Sequence, residues 1–187
     1  DTTESRGLGD VYKRQEQMTR AGEQDLNAYG NRIRQTAEIL WGLQETMPET
    51  IGAQLAASQS VVMLDEWNDS LLVARAQTIP PATLNVPRVV EVARRAQLRL
   101  GGAESAIALL NTFQEKTTDP AVAVMLQSEL VLALRDSGQR EEALAAAQAL
   151  KTEFSDSTWF AWADRAIYDL ETLWPGMPAP TFEVTNL

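Results

Sequence analysis

From Glu16 to about Glu45 the apolar positions Leu26, Tyr29, Ile33, Ala37, Leu40 and Trp41 recur three and four residues apart, which puts them on one stripe of a long helix. Gly30 weakens that helix locally, and Met47 and Pro48 end it, because the residue before a proline is pushed out of the helical region. A second helical stretch runs from Glu49 towards Gln77, with Ile51, Leu55, Val62, Trp67, Leu71 and Ala74 as its expected buried side. Its middle, SVVMLDEW, is open to strand or helix; its length and the absence of turn residues favour helix. The segment TIPPATLNVP, with Pro80, Pro81 and Pro87, is the clearest break in the chain and fixes an extended connection.

After this break a unit recurs. From Pro87 the chain reads RVVEVARRAQLRL, then GG, then AESAIALLNTFQEK, and stops at TTDP; from Pro120 it reads AVAVMLQSELVLALRD, then SG, then QREEALAAAQALKTEF, and stops at SDS. Ala106 and Ile107 begin five residues after Gly101, and Ala143 and Leu144 begin five after Gly138. Glycine closes a tight turn with positive φ, and a small alanine on the second helix lets its axis approach the first. A last helix, STWFAWADRAIYDLETLW, opens at the cap candidate Ser157 and carries Phe160, Ala163, Ile167 and Leu170 on one stripe. The aromatic group Trp159, Phe160 and Trp162 is open to two readings, a ligand-stacking platform or a helix contact, and the spacing favours the contact. Arg94, Arg95 and Arg99 likewise read as an anion-holding face or as a solvated face balanced by nearby acids, and the second is favoured.

The head of the chain departs from this pattern. In SRGLGDVYKRQ, Gly7 and Gly9 oppose a helix, Val11 and Tyr12 have the character of a short strand, and Lys13 and Arg14 make a small basic spot. Back-translated, Ser5 to Gln15 match one reading frame of DNA that resembles a transposase-type library adapter. Asp1 to Gln15 are therefore expected to be translated adapter, set aside from functional reasoning, with the native N-terminus and any signal peptide outside the chain. The competing reading is a native basic arm. The adapter residues are expected to pack against nothing consistently.

Removing Asp1 to Gln15 takes away as many acids as bases, so the net charge stays at −10. An acidic surface repels a phosphate backbone, and no nucleic-acid partner is implied. No apolar run approaches the length of a membrane span. The chain has no cysteine and no histidine, which removes thiol nucleophiles, disulfides, Cys/His zinc sites and imidazole acid–base catalysis together. The carboxylates are scattered along helical faces without paired spacing. No catalytic residue, metal ligand or cofactor-binding residue is therefore assigned, and no cofactor is expected.

The helix–glycine–helix units from Pro87 to Leu173 resemble a degenerate tetratricopeptide repeat, whose unit is also a helix pair with glycine in the turn and small residues on the second helix. Their period is 33 and then about 37 residues against the usual 34, and the tryptophan and tyrosine of the first helix are absent from both units. The tail WPGMPAPTFEVTNL resembles the opening of a redoxin-type thioredoxin-like domain, found in thiol-disulfide oxidoreductases of the cell envelope and in peroxiredoxins. That opening runs glycine, spacer, Pro-Ala-Pro, a polar residue, phenylalanine and a short strand; here Gly176, Met177, Pro178, Ala179, Pro180, Thr181, Phe182 and Val184 hold those places, with Thr181 where aspartate is more usual. A proline-rich linker of no particular kind is the alternative. The family's catalytic residues have no counterpart here; the resemblance implies a Cys-x-x-Cys pair beyond Leu187, at a helix start whose dipole lowers a thiol's pKa.

Together these readings give an all-α chain, with antiparallel helix pairs in a tetratricopeptide-like α-solenoid and a short extended C-terminal tail. The expected organisation is adapter over 1–15, a helical hairpin over 16–79, repeats over 87–173, and a linker with the first strand of a truncated thioredoxin-like domain over 174–187. Val89, Val92, Ala106, Ile107, Leu110, Met125, Leu130, Ala143, Leu144 and Leu150 are expected to be buried together. Two functions follow: a non-catalytic interaction or spacer region of a bacterial thiol-disulfide oxidoreductase of the cell envelope or periplasm, or a repeat scaffold that takes a protein or peptide partner and has no redox chemistry.

Overall fold

The structure, a computed structural model, describes the backbone of residues 2–80, 88–154 and 157–179, and their side chains except those of residues 2–18, 21 and 157. Among the described residues seven α-helices follow one another: α1 (Thr2–Thr46), α2 (Ile51–Met63), α3 (Asp69–Thr78), α4 (Val89–Lys116), α5 (Pro120–Asp136), α6 (Arg140–Glu153) and α7 (Ser157–Thr172). Among the described residues there is no strand, and no helix is long and apolar enough to cross a membrane. Each helix packs chiefly on its neighbours in the chain; α2 also meets α4, and α7 also meets α5.

The head of the chain is helical, not extended. α1 runs through Gly7 and Gly9, and the short strand expected at Val11 and Tyr12 does not form. A helix rises about 1.5 Å per residue, so α1 is roughly 68 Å long and α2, the described helix that chiefly packs along it, roughly 20 Å. Only the C-terminal part of α1 is therefore covered. Ala37 is fully buried and Ile33, Leu40 and Trp41 are half-buried, whereas Leu26 and Tyr29, on the same expected stripe, are exposed because they lie towards the uncovered end.

The single helix expected over 49–77 is two helices. The chain turns at Leu64–Asn68, where Trp67 N–H and Asn68 N–H both donate to the Leu64 carbonyl, Glu66 takes φ 67°, and the Asn68 side chain caps α3 by accepting from Leu71 N–H at 3.1 Å. The break changes the phase of the apolar stripe. Ile51, Leu55, Trp67 and Ala74, expected inside, are exposed, and Val62 and Leu71 are half-buried. Small residues take the inner face of α2 instead: Ala53, Ala57, Ser58 and Ser60 are buried with Val61, and the Ser60 hydroxyl donates to the Ala37 carbonyl of α1 at 2.8 Å. Gly30 is likewise a contact point: a Cβ there would lie 2.5 Å from the Trp67 ring, which sits against the helix and meets Tyr29 edge-on at 5.6 Å between centroids.

Arg75 ties the first three helices together. It is buried, donates to Ser60 Oγ at 2.9 Å and to Glu38 at 2.6 Å, and stacks its guanidinium 4.8 Å from the centre of the Trp41 ring.

Positive φ falls at Gly138, as expected, but in the first unit at Gly102 and not at Gly101, from which the repeat spacing runs. Gly102 breaks α4 with φ 78° and ψ −178°, dividing it into an arm over 89–101 and an arm over 103–116. Asp119 caps α5 by accepting from Ala121 N–H at 2.9 Å, with Pro120 in the first turn, where its missing N–H costs nothing. α5 ends in a Schellman motif: Gly138 has φ 81°, its N–H donates to Arg135 O and the Gln139 N–H to Leu134 O, both at 3.0 Å.

Of the ten positions expected to be buried together, Val89, Val92, Ala106, Leu110, Ala143 and Leu150 are buried and Ile107, Met125, Leu130 and Leu144 half-buried. Eight of them fall into three apolar clusters rather than one, Ala106 and Met125 into none, and Ile107 and Leu130 touch both the first and the second. In α7, Ala163 and Leu170 are buried and Ile167 half-buried, but Phe160 is exposed, with Lys151 Nζ 4.6 Å from its ring centre. Trp159 and Trp162 meet edge-on at 6.3 Å and pack against Val124, Leu150 and Ala163, so these two rings form a helix contact. The break over 81–87, the SDS stop at 155–157 and the TFEV segment lie wholly or largely outside the described residues.

Candidate binding groove and charged seam

The three arginines of the first α4 arm point two ways. Arg94 reaches α5, donating to Glu129 at 2.6 Å and to Asp136 at 3.2 Å, and is 8% exposed, so it is an interior group and not part of a solvated face. Arg95 and Arg99 reach the start of α3: Arg95 pairs with Asp65 and with Glu91 of its own helix, and Arg99 with Asp65 at 2.8 Å and Asp69 at 2.6 Å. With every guanidinium engaged by carboxylates, the cluster is not set up to hold an added anion.

Two carboxylates respond oppositely to this seam. The hydrogen bond from Arg99 holds Asp69 below the usual carboxylate range, and Asp69 in turn pushes Arg99 up. Burial pushes Glu129 above the ordinary glutamate value, against the pull of Arg94.

The recess that combines apolar and polar lining lies at the other end of the chain. α5 contributes Val131, Leu132, Arg135 and Asp136, the turn contributes Gly138, and α7 contributes Trp162, Arg165, Ala166, Asp169 and Leu170. Leu173, Trp174 and Pro175 close one side of its wider part, which has a volume of about 530 Å³. Three contacts hold this geometry. Arg140 Nε donates to the Leu170 carbonyl at 2.7 Å, Trp174 packs on the cluster around Ala143 and Ala147, and Met177 N–H donates to Trp174 O at 3.0 Å as the chain reverses at Gly176, where φ is 91°. Arg165 and Asp169 stand on the rim with no ion pair among the described residues.

Of the residues singled out in the sequence, Gly101, Ala106, Ile107, Gly138, Ala143 and Leu144 sit at the helix turns and seams. A Cβ on Gly101 would lie 2.6 Å from Ser105 Oγ, and the break itself is made by the positive φ of Gly102. Gly176, Pro178 and Ala179 leave the molecule beside the groove, while Pro180 and Phe182 lie outside the described residues. Sequence reasoning did not find Arg135, Arg165, Asp169 and Trp174 as a group; they come together only through the packing of α5 on α7. No group of residues that could hold a metal ion occurs among the described residues. Comparison with known protein families, curated proteins and solved structures finds no match to this chain.

Proposed function

We propose that residues 87–173 form a tetratricopeptide-like helical repeat region, with antiparallel pairs stacked as an α-solenoid behind the N-terminal helices, and that the helical part as a whole is the interaction or spacer region of a bacterial thiol-disulfide oxidoreductase of the cell envelope. The observation that carries this reading is the hooked exit of the chain. Helix–glycine–helix units end at Trp174, the backbone reverses at Gly176, and Pro178 and Ala179 lead out in the order in which a redoxin-type domain opens. The helical region supplies no thiol; its work is to position that domain or to engage its partner. The thiol chemistry belongs to a Cys-x-x-Cys beyond Leu187, where a helix N-terminus stabilises the thiolate.

The groove between α5 and α7 favours a second reading, in which the repeats hold a peptide or protein partner and no redox domain follows. Sequencing the source DNA outward from the codons of PGMPAPTFEV separates the two. A Cys-x-x-Cys in a strand-then-helix pattern is the expected result, and a lone cysteine in a peroxiredoxin-like context would shift the reaction to peroxide reduction. A stop codon or further helix pairs would overturn the redox reading and leave the scaffold.

A further inference from the structure

The recess between α5 and α7 has a polar waist. Arg135 from α5 and Asp169 from α7 line both its narrow part, of about 110 Å³, and its wide part, of about 530 Å³, with Leu170 beside them. These two opposite charges do not pair with each other. Arg135 is turned to Asp136 instead, its Nε and Nη2 donating to Oδ1 at 3.2 and 2.9 Å, and Asp136 is held in turn by the buried Arg94 at 3.2 Å. This chain of contacts fixes the Arg135 head and leaves its Nη1 without a bond among the described residues. The half-buried Asp169 carboxylate has no bond there either. Arg165 stands four residues before Asp169, the less favourable order for a pair within one helix, so it does not claim that carboxylate. Away from the waist the lining is apolar, with Leu132 and Trp162 at one end and Leu173 and Trp174 at the other.

We propose that this recess binds an extended, uncharged segment of an unfolded polypeptide, with a backbone amide at the waist and one apolar side chain in each part. This rests on the reading of the recess as a partner site and not on the redox chemistry beyond Leu187. Charge decides against an ionic occupant. An anion drawn to Arg135 is repelled by Asp169 and a cation the reverse, and the charges of Arg135, Asp136, Arg165 and Asp169 cancel. A group that satisfies both sides of the waist must donate to Asp169 and accept from Arg135, and a peptide unit does both. A docked helix has already bonded its N–H and C=O groups within itself, so it would leave Arg135 and Asp169 without partners. An extended chain presents those groups unbonded. Its side chains also alternate, so residues i and i+2 stand on one face about 7 Å apart, one for each side of the waist.

Isothermal titration calorimetry on the full chain tests this, with the capped peptide acetyl-Ser-Leu-Ser-Phe-Ser-amide as the probe. One-to-one binding in the micromolar range is expected, and changing the leucine and phenylalanine of the probe to aspartate should abolish it. The two amides between them are then replaced by esters, one at a time, each removing an N–H. One of the two esters should bind the native chain roughly tenfold more weakly than the amide, and should bind Asp169→Ala as well as the amide does. Arg135→Gln, at an exposed position, should weaken the amide probe roughly tenfold. Ala166→Phe, which fills the narrow part, should abolish binding with the helical circular dichroism unchanged. No binding at millimolar probe, equal binding of the aspartate probe, undiminished binding to a folded Ala166→Phe chain, or an ester penalty that persists in Asp169→Ala would overturn the proposal. The redox reading is decided separately, by the codons beyond Leu187.

Discussion

At the scale of the residue, the molecule uses small and charged groups where large apolar ones would be expected. Gly30 costs α1 about 1 kcal/mol of helix propensity relative to alanine, and the return is a seat for Trp67, whose ring occupies the space of a Cβ. Gly30→Ala should therefore fail to stabilise the native chain, yet stabilise a Trp67→Ala background by about 1 kcal/mol; denaturant unfolding of the four variants measures the coupling, and equal effects in both backgrounds would remove this role. Arg94 is buried and Glu129 half-buried, and removing one partner of a buried pair costs about 3 kcal/mol, the upper end of the loss expected in Arg94→Ala. The pH dependence has a definite sign. Glu129 is raised in the folded state, so the fold binds its proton more readily than the unfolded chain does, and this group makes stability fall as pH rises from about 4.5 through the raised value. Asp69 is lowered, so its contribution is present above its unfolded value and is lost as pH falls through the depressed one. Glu129→Gln should flatten the first slope and Asp69→Asn the second, in unfolding curves recorded across that range.

At the scale of the element, glycine, proline and cap residues were the reliable signals. α5 and α6 were legible almost to the residue, because Pro120, Gly138 and a 3.6-residue stripe all agree there. The turn at Leu64–Asn68 was not, since LDEWN contains no glycine or proline and a non-glycine residue, Glu66, carries the positive φ. The inner face of α2 was missed for a related reason: it is built from alanine and serine, which carry no hydrophobic signal but allow close approach to α1. The ion pairs of α4 were hidden because their partners from α3 and α5 lie 30 to 42 residues away in sequence. Gly138→Ala places a Cβ at φ 81°, where nothing blocks it sterically from neighbours but the backbone itself disfavours it. The expected loss is about 1 kcal/mol with the helices intact by circular dichroism, and no loss would mean that the turn relaxes to another geometry.

At the scale of the whole molecule, the proposed function rests on a stack in which each helix depends on its chain neighbours. Such a stack is not uniformly stable, because its stability is a sum over local interfaces. The helices with neighbours on both sides, α2 to α6, hold Ala57, Leu72, Val92, Leu110, Leu126, Val131 and Ala147 at or near zero exposure. Among the described residues α1 packs chiefly on α2, and Leu26 and Tyr29 towards its N-terminal end are exposed. Native-state hydrogen exchange, followed peptide by peptide, reads this directly. A graded profile is expected, slowest over 51–78 and 89–150, intermediate over 33–46, and fast before Gly30 and after Trp174. A single uniform protection from residue 16 to residue 173 would contradict it.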